Sequence, residues 1–194
     1  MKFKLDIKGA DTAIRQLEGL KKEADLMTVR ALNKGLSKAA TLSNREIRGQ
    51  VNLKLNYVKE RMTLIKANPD RLAAEIKTPR RGTLMTRYPH RVLKRGVKVR
   101  VKKGAAKLIR GGFVTTLKAG NRRVEAIAVA QPKQGGRWPR YKTGNRKINV
   151  RYAPSISQVY QNVKGNVGEQ VDPYISDQMQ KEINRYLRQS RGRR

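Results

Sequence analysis

Residues 97–102 have the sequence Val97-Lys98-Val99-Arg100-Val101-Lys102, in which an apolar residue alternates with a cation at every step. A β-strand sends successive side chains to opposite faces, so this period of two predicts a strand with one apolar and one strongly cationic face. The apolar face is expected to pack in a core, and the cationic face is expected to meet solvent or an anionic partner. The stretch therefore predicts β-structure for the middle of the chain.

Alternating patterns and turn residues extend on both sides of this stretch, over residues 62–152. Further strands are expected at residues 62–67, 72–78, 113–117, 124–130 and 148–152. Residues 118–123 contain Gly120 and Asn121, which are typical of a hairpin turn. Residues 131–147 are rich in glycine, proline and cations, and they are predicted to form a long basic loop.

Helical periodicity replaces the period of two at both ends of the chain. Residues 11–52 carry apolar side chains three and four positions apart, with a break near residues 23–28, and residues 154–189 show the same spacing. Within the second segment, Asp172 followed by Pro173 predicts the N-cap and first position of the last helix, where proline loses no hydrogen bond.

These patterns together predict an α+β fold, with N- and C-terminal helices packed on a central antiparallel sheet that carries the long basic loop. We expect a single domain over residues 1–189, which is helical at 11–52, β-rich and basic at 62–152, and helical again at 154–189. Residues 190–194 are expected to be a disordered basic tail.

Positive charge is the dominant feature of the composition. The 194 residues include 46 Lys and Arg against 14 Asp and Glu, a formal net charge of +32. Residues 76–168 hold 24 of these cations and the single acid Glu125, a net charge of +23. Because a net charge of about 2–8 already keeps a small domain soluble, this excess predicts an anionic partner, either acidic protein or nucleic acid. The candidate contact residues are Lys98, Arg100, Lys102, Arg122, Arg123, Arg137, Arg140 and Arg146.

The residues needed for catalysis are scarce. The chain has no cysteine and one histidine, His90, so thiol chemistry, a histidine triad and a histidine metal site are not expected. The closest carboxylate pairs, Glu23/Asp25 and Asp172/Asp177, lie at predicted helix starts, where acids favour the helix dipole. No nucleotide-binding glycine motif is present. We therefore expect neither an enzyme nor a metal or cofactor site.

The sequence also bears on localisation. No stretch approaches the roughly 18–20 apolar residues of a membrane span, so no membrane partner is expected. The first twenty residues contain Asp6, Asp11 and Glu18 where a signal peptide needs an apolar run. The chain is therefore expected in the cytoplasm until it is assembled into a larger structure.

Several short motifs, taken in order, resemble the phage minor tail protein Z family. They are Ile7-Lys8-Gly9, Val58-Lys59-Glu60-Arg61 followed by Ala67 and Asn68-Pro69, Gly112-Phe113-Val114 with Leu117-Lys118, Gly136-Arg137-Trp138-Pro139, Ile148-Asn149-Val150, and Ala153-Pro154-Ser155-Ile156-Ser157. They span residues 7–163, and none is a catalytic signature.

The resemblance implies a structural virion protein that completes the head-proximal end of a long phage tail and helps to connect it to the portal or neck. Such proteins form rings around the DNA channel, so a homo-oligomeric ring is expected. The implied partners are the tail terminator and other tail or neck proteins, with non-specific contact to packaged DNA as a further expectation.

Two other functions follow from the residues alone. The +23 segment is also typical of a cellular nucleic-acid-binding protein of ribosomal or chromatin-like type. Such a protein would bind without sequence preference, since aromatic residues make up 5% and no nucleic-acid-binding motif is present. A nuclease is the weakest alternative, because it would need a magnesium site that involves Asp172 or Asp177.

Overall fold

The computed structural model describes the backbone of residues 10–130, 141–143 and 146–191, and the side chains at 18–118, 120–130 and 148–190. Its helices are α1 (Ala10–Gln50), α2 (Leu55–Glu60) and α3 (Ile156–Arg191). Its strands are β1 (Thr63–Ile65), β2 (Glu75–Lys77), β3 (Thr83–Leu84), β4 (His90–Leu93), β5 (Gly96–Val99), β6 (Lys107–Arg110), β7 (Gly112–Ala119), β8 (Arg122–Ala130), β9 (Tyr141–Thr143), β10 (Arg146–Val150) and β11 (Tyr152–Ala153). Terminal helices with antiparallel sheets between them confirm the predicted α+β class.

The described residues divide into two compact units. The first comprises residues 10–40, 64–77 and 168–191, and the second comprises 41–63, 78–130, 141–143 and 146–167. Helices α1 and α3 each contribute residues to both units. Because both units share these helices, the division does not set the number of domains, and the single domain over residues 1–189 stays a prediction.

The first unit is held together by helix contacts and by the short sheet of β1 and β2. Its buried apolar side chains include Ala31 and Leu36 of α1 and Val171 of α3. Gly35 of α1 lies directly against the side chain of Ile175 of α3, at a distance that leaves no room for a Cβ atom. The missing side chain at Gly35 therefore allows the two helices to approach closely.

An ion pair with a buried carboxylate also joins α1 and α3 within the first unit. The Glu182 side chain is 4% exposed, and its carboxylate accepts a hydrogen bond from Lys34 Nζ at 2.8 Å. Arg30 Nη1 lies 3.6 Å from the other carboxylate oxygen. The hydrogen bond from Lys34 lowers the pKa of Glu182 below its usual value; burial opposes this effect, and the charges of Lys34, Arg30 and Arg185 add to it.

The core of the second unit is built on a four-stranded sheet with the order β7-β8-β10-β9. Alternate residues of the three longer strands share one face, as the period of two requires. That face carries the buried cluster Leu117, Ala126, Ala128, Ile148 and Val150. Helix α3 adds a buried apolar stripe to this unit at three- and four-residue steps, formed by Ile156, Val159, Val163 and Val167.

Strands β7 and β8 form a hairpin whose turn consists of Gly120 and Asn121. Ala119 pairs with Arg122 across the turn, and Gly120 has a φ of +62°. No non-glycine residue in the described part of the chain has a positive φ, so Gly120 alone supplies the conformation that the turn needs.

The predicted basic loop is only partly described. Residues 131–140 and 144–145 lie outside the described residues. Residues 141–143 form strand β9, and β10 begins at Arg146, two positions earlier than the strand expected from residue 148. The C-terminal part of the segment therefore pairs with the sheet through Arg146 and Thr143.

Helix α3 differs from its sequence-based prediction. The helix begins at Ile156, and a capping box precedes it, in which the Ser155 hydroxyl accepts from the Gln158 amide and the Gln158 side chain accepts from the Ser155 amide. Pro173 lies inside the helix, so the prediction of a new helix start at Asp172 is wrong. Val167 and Val171 before the proline and Gln178 and Glu182 after it are buried, so the helix is packed before and after this point.

Helix α1 is also longer than expected. The predicted break at residues 23–28 is wrong, because α1 is continuous from Ala10 to Gln50. The segment is polar, but Lys22, Glu23, Ala24 and Leu26 are all strong helix formers. Their intrinsic propensity maintains the helix where the apolar periodicity is interrupted.

Candidate cationic contact surface

The three-stranded sheet with the order β4-β5-β6 presents a cationic face within the second unit. In its antiparallel register, Lys98 of β5 lies opposite Arg91 of β4 and Leu108 of β6. Gly96 pairs with Arg110, which places Arg110 on the same face as Lys98. All three cations are exposed. We call Arg91, Lys98 and Arg110 the sheet face.

The opposite side of strand β5 is apolar. Val97 and Val99 are 0% and 1% exposed, so the alternation predicted from the sequence holds over the strand itself. Gly96 is required at the start of β5, because its φ is +141° and a Cβ atom would collide with the Ile109 carbonyl. The buried valines thus fix the direction in which Lys98 points.

Strand β5 is shorter than the alternating sequence pattern predicts. Lys98 is therefore separated from Arg100 and Lys102, which lie beyond the end of the strand. Strand β5 ends at Val99. Arg100 lies just beyond the strand, where its amide donates to the Pro89 carbonyl at 2.9 Å. Lys102 forms an isolated antiparallel bridge with Val51, because the chain turns to pair with the end of α1. Both side chains are exposed.

The β7–β8 hairpin carries a second group of cations near its turn. Arg123 pairs with Lys118 across the hairpin, and Arg122 is adjacent to the turn. All three side chains are exposed. Neighbouring residues of a strand point to opposite faces, so Arg122 and Arg123 place charge on both sides of the hairpin end.

The remaining candidate residues are described incompletely or not at all. Arg137 and Arg140 lie outside the described residues. Arg146 is the first residue of β10 and pairs with Thr143, but its side chain is not among those described.

A pocket of about 220 Å³ opens beside the hairpin in the second unit. Four cations line it, and no acidic residue does. Its other lining residues are apolar, aromatic or small. The cations are Arg61, Arg81, Arg87 and Lys118, and the remaining lining residues are Tyr57, Pro79, Gly82, Thr83, Leu84, Leu117, Val124, Tyr152 and Ile156. We call this the arginine pocket.

Tyr57 organises one wall of the arginine pocket. The guanidinium groups of Arg61 and Arg87 lie 5.5 Å and 5.6 Å from the centre of its ring, within the range of a cation–π contact. Arg61 ends helix α2, and Arg87 ends a turn of 3₁₀-helix at Met85–Arg87. Two separate elements therefore hold two positive charges against one aromatic ring.

Tyr88, next to Arg87, is buried and neutral. Burial raises the pKa of its hydroxyl group to about 12, although its contact with the Thr83 side chain partly opposes this effect. The phenol therefore adds no negative charge to the cationic environment at physiological pH.

The described residues offer no metal-binding cluster, because nowhere among them do three His, Cys, Asp or Glu side chains come together. Within the same part of the chain, no helix is both long enough and apolar enough to cross a bilayer.

The sequence analysis did not identify six of the cations that form these surfaces. On the sheet face they are Arg91, which a hairpin with its turn at Lys94-Arg95 would have placed opposite Lys98, and Arg110, which strand β6 brings to the same face. In the arginine pocket they are Arg61, Arg81, Arg87 and Lys118. No local motif connects these four residues, since they come from different elements of the chain.

Comparison with known proteins gives one result. A family model described as Prophage minor tail protein Z matches residues 7–193, which is nearly the whole chain. No curated protein and no solved structure shows a significant match.

Proposed function

The chain belongs to the prophage minor tail protein Z family, and from this membership we propose that it completes the head-proximal end of a long phage tail and helps to connect the tail to the portal or neck. The observation that carries the proposal is the extent of the match, residues 7–193. The matched range includes every described residue, so we propose the structural role for the whole chain and not for one part of it.

The proposed role is structural, with no reaction to catalyse. In the described part of the chain, the charged side chains on the two cationic surfaces are all Lys or Arg. Such groups bind anions and steer association, but at neutral pH they do not provide a general base. A connecting protein needs only these binding properties.

We propose that the chain acts as a ring of identical copies around the DNA channel. A formal charge of +32 on each copy makes self-association without counter-charge unfavourable. The ring is therefore expected to form on an acidic partner, such as the tail terminator or another tail or neck protein, which neutralises the copies as they bind.

Mass spectrometry of purified virions tests this role. The chain is expected at a fixed small copy number in mature particles, and its absence from them would contradict the proposal. Electron microscopy of particles with a gold-labelled chain tests the position, where label at the head-proximal end is expected. Label at the distal tip would still agree with a tail protein, but it would contradict the proposed head-proximal position.

Non-specific contact with packaged DNA is a second role that one observation favours. The sheet face places Arg91 opposite Lys98 and Arg110 diagonal to Lys98 on an exposed surface. Lys and Arg groups in such an array bind phosphates and release counterions without reading sequence. The same property would serve a cellular nucleic-acid-binding protein, and virion mass spectrometry separates the two.

A further inference from the structure

We propose that the arginine pocket binds a glutamate or aspartate side chain from an acidic segment of a partner protein, with a neighbouring apolar residue of that segment on the pocket floor. The proposal rests on the structural role above, because it names how the protein partner is held. Under this proposal, the arginine pocket binds an acidic protein segment, whereas the sheet face binds DNA.

Charge in the arginine pocket is unbalanced. Arg61, Arg87 and Lys118 are exposed cations from three different elements, and no acidic residue lines the pocket. Cations that converge on one cavity repel one another, so an anion bound between them is strongly favoured. Arginine also binds carboxylates through two parallel hydrogen bonds, which adds geometric selectivity to the attraction.

The size of the pocket favours a side chain over a nucleic acid. About 220 Å³ is below the roughly 300–1,000 Å³ of pockets that take a drug-sized ligand, so one amino-acid side chain and part of a second fill it. Duplex DNA presents its phosphates along a convex backbone, which suits an exposed sheet surface such as the sheet face. A concave cavity admits a single projecting group.

The rest of the lining also suits a peptide. Leu84, Leu117, Val124 and Ile156 contribute apolar surface beneath the cations. The Tyr57 ring is already flanked by Arg61 and Arg87, which holds both guanidinium groups beside the pocket before any ligand binds. A phosphate would gain nothing from the apolar floor, whereas a leucine next to a glutamate would bury its side chain there.

A partner of different composition fits the pocket better than a second copy of this chain. Each copy carries a formal charge of +32, so approach of one copy to the pocket of another brings two large positive charges together. A partner protein with a net negative segment is instead attracted to the pocket. The pocket is therefore assigned to an acidic segment of another protein.

Fluorescence anisotropy with two probes tests this assignment. One probe is a rhodamine-labelled peptide, Gly-Glu-Leu-Glu-Glu-Leu-Gly, and the other is a rhodamine-labelled duplex DNA of random sequence. The variant Arg61→Gln/Arg87→Gln removes two pocket cations. The matched control Arg91→Gln/Arg110→Gln removes two cations from the sheet face of the same unit, and the net charge of both proteins is equal.

The pocket variant is expected to weaken peptide binding by about tenfold or more, while the control weakens it by less than about twofold. The order is expected to reverse for the DNA probe. Equal loss of peptide binding in both variants would overturn the proposal, since it would mean that only total charge matters. Loss of DNA binding mainly in the pocket variant would also overturn it.

A second comparison tests the pocket without changing Arg61 or Arg87, the two cations that contact the Tyr57 ring. Lys118 lines the pocket from strand β7, and Lys118→Gln is expected to weaken peptide binding more than Lys102→Gln does. The reverse order would count against the pocket. Circular dichroism confirms that each variant is folded. If the chain is present in virions but the peptide does not distinguish the variants, the pocket proposal fails while the structural role stands.

Discussion

Asn33 and Ala67 exchange two hydrogen bonds. The side-chain amide of Asn33 donates to the Ala67 carbonyl at 3.0 Å, and the Ala67 amide donates to Asn33 Oδ1 at 2.9 Å. Ala67 is 5% exposed and lies outside the strands, so one side chain of α1 satisfies both backbone groups of a buried residue. This contact fixes the segment after β1 to the first unit.

Replacing Asn33 with alanine is therefore expected to lower the free energy of unfolding by about 1–3 kcal/mol, because two buried backbone groups lose their partners. Asn184→Ala is the matched control, since Asn184 is an exposed asparagine on α3 that only accepts from Gln180. Both changes gain the same small helix propensity. Urea denaturation measures the difference, and equal stability of the two variants would contradict the role of Asn33.

Glu182 is expected to make the stability of the protein depend on pH. The pKa of Glu182 is lowered in the folded protein, first by the hydrogen bond from Lys34. A lowered carboxyl pKa adds stability above the pKa of the unfolded chain, and that stability is lost as the pH falls through the folded pKa.

Urea denaturation of the wild type and Glu182→Gln from neutral pH to about pH 3 measures this effect, with the wild-type advantage largest at neutral pH and shrinking in acid. A difference that stays constant over this range would show that the carboxylate charge does not contribute.

Gly35→Ala is expected to destabilise the protein although alanine favours helices. A Cβ atom at Gly35 would lie 2.7 Å from Ile175 Cδ1, and overpacking of this kind costs about 1–3 kcal/mol against a gain of about 1 kcal/mol in helix propensity. Gly19 of the same helix has nothing within 4 Å of its Cβ position, so Gly19→Ala is expected to stabilise.

An Ile175→Ala background supplies the control for this contact. With the larger side chain removed, Gly35→Ala is expected to behave like Gly19→Ala. If Gly35→Ala alone raises the midpoint of thermal unfolding as Gly19→Ala does, the two helices do not pack as described.

Pro173→Ala is expected to stabilise α3 by about 1–3 kcal/mol, because it restores the amide that donates to the carbonyl of Glu169 inside the helix. Asp172→Ala is expected to change stability by less than about 0.5 kcal/mol. The opposite pattern, a neutral Pro173→Ala and an Asp172→Ala that costs about 1 kcal/mol, would mean that a helix starts at Asp172 after all. Thermal unfolding followed by circular dichroism distinguishes the two.

The sheet face is expected to carry the salt-dependent part of DNA binding. Each phosphate contact contributes about −0.9 to the slope of log affinity against log salt, so removal of three cations is expected to reduce the slope by about 2–3. The variant combines Arg91→Gln, Lys98→Gln and Arg110→Gln, and the charge-matched control combines Lys21→Gln, Lys22→Gln and Arg188→Gln. Anisotropy of a labelled duplex at several salt concentrations gives both slopes, and equal slopes would remove DNA from the roles of this face.

The sequence predicted most of what depends on near neighbours in the chain. The alternation at Val97, Lys98 and Val99 gave the buried and exposed sides of β5 correctly, and the helical spacing located α1 and α3. Asp172-Pro173 misled the prediction because a local capping signal was weighed without the packing of Val171 before it and Gln178 after it, which are both buried in one continuous helix.

The arginine pocket could not be predicted for a different reason. Arg61 and Arg87 come together only because α2 and the 3₁₀ turn both pack against Tyr57, and Lys118 arrives from a hairpin further along the chain. Each cation by itself is indistinguishable from a solvated surface residue in a chain with 46 of them. The signal lies in their convergence, which is a property of tertiary structure.

The ion pair between Lys34 and Glu182 spans 148 positions of sequence, and this separation has a consequence for synthesis of the protein. The first unit contains residues from both ends of the chain. During translation, helix α1 therefore cannot complete its contacts with α3 until Glu182 has been synthesised. The second unit lies between these ends and is free to fold sooner. Such long-range closure slows folding, and a truncation before Ile175 would remove the partners of both Lys34 and Gly35.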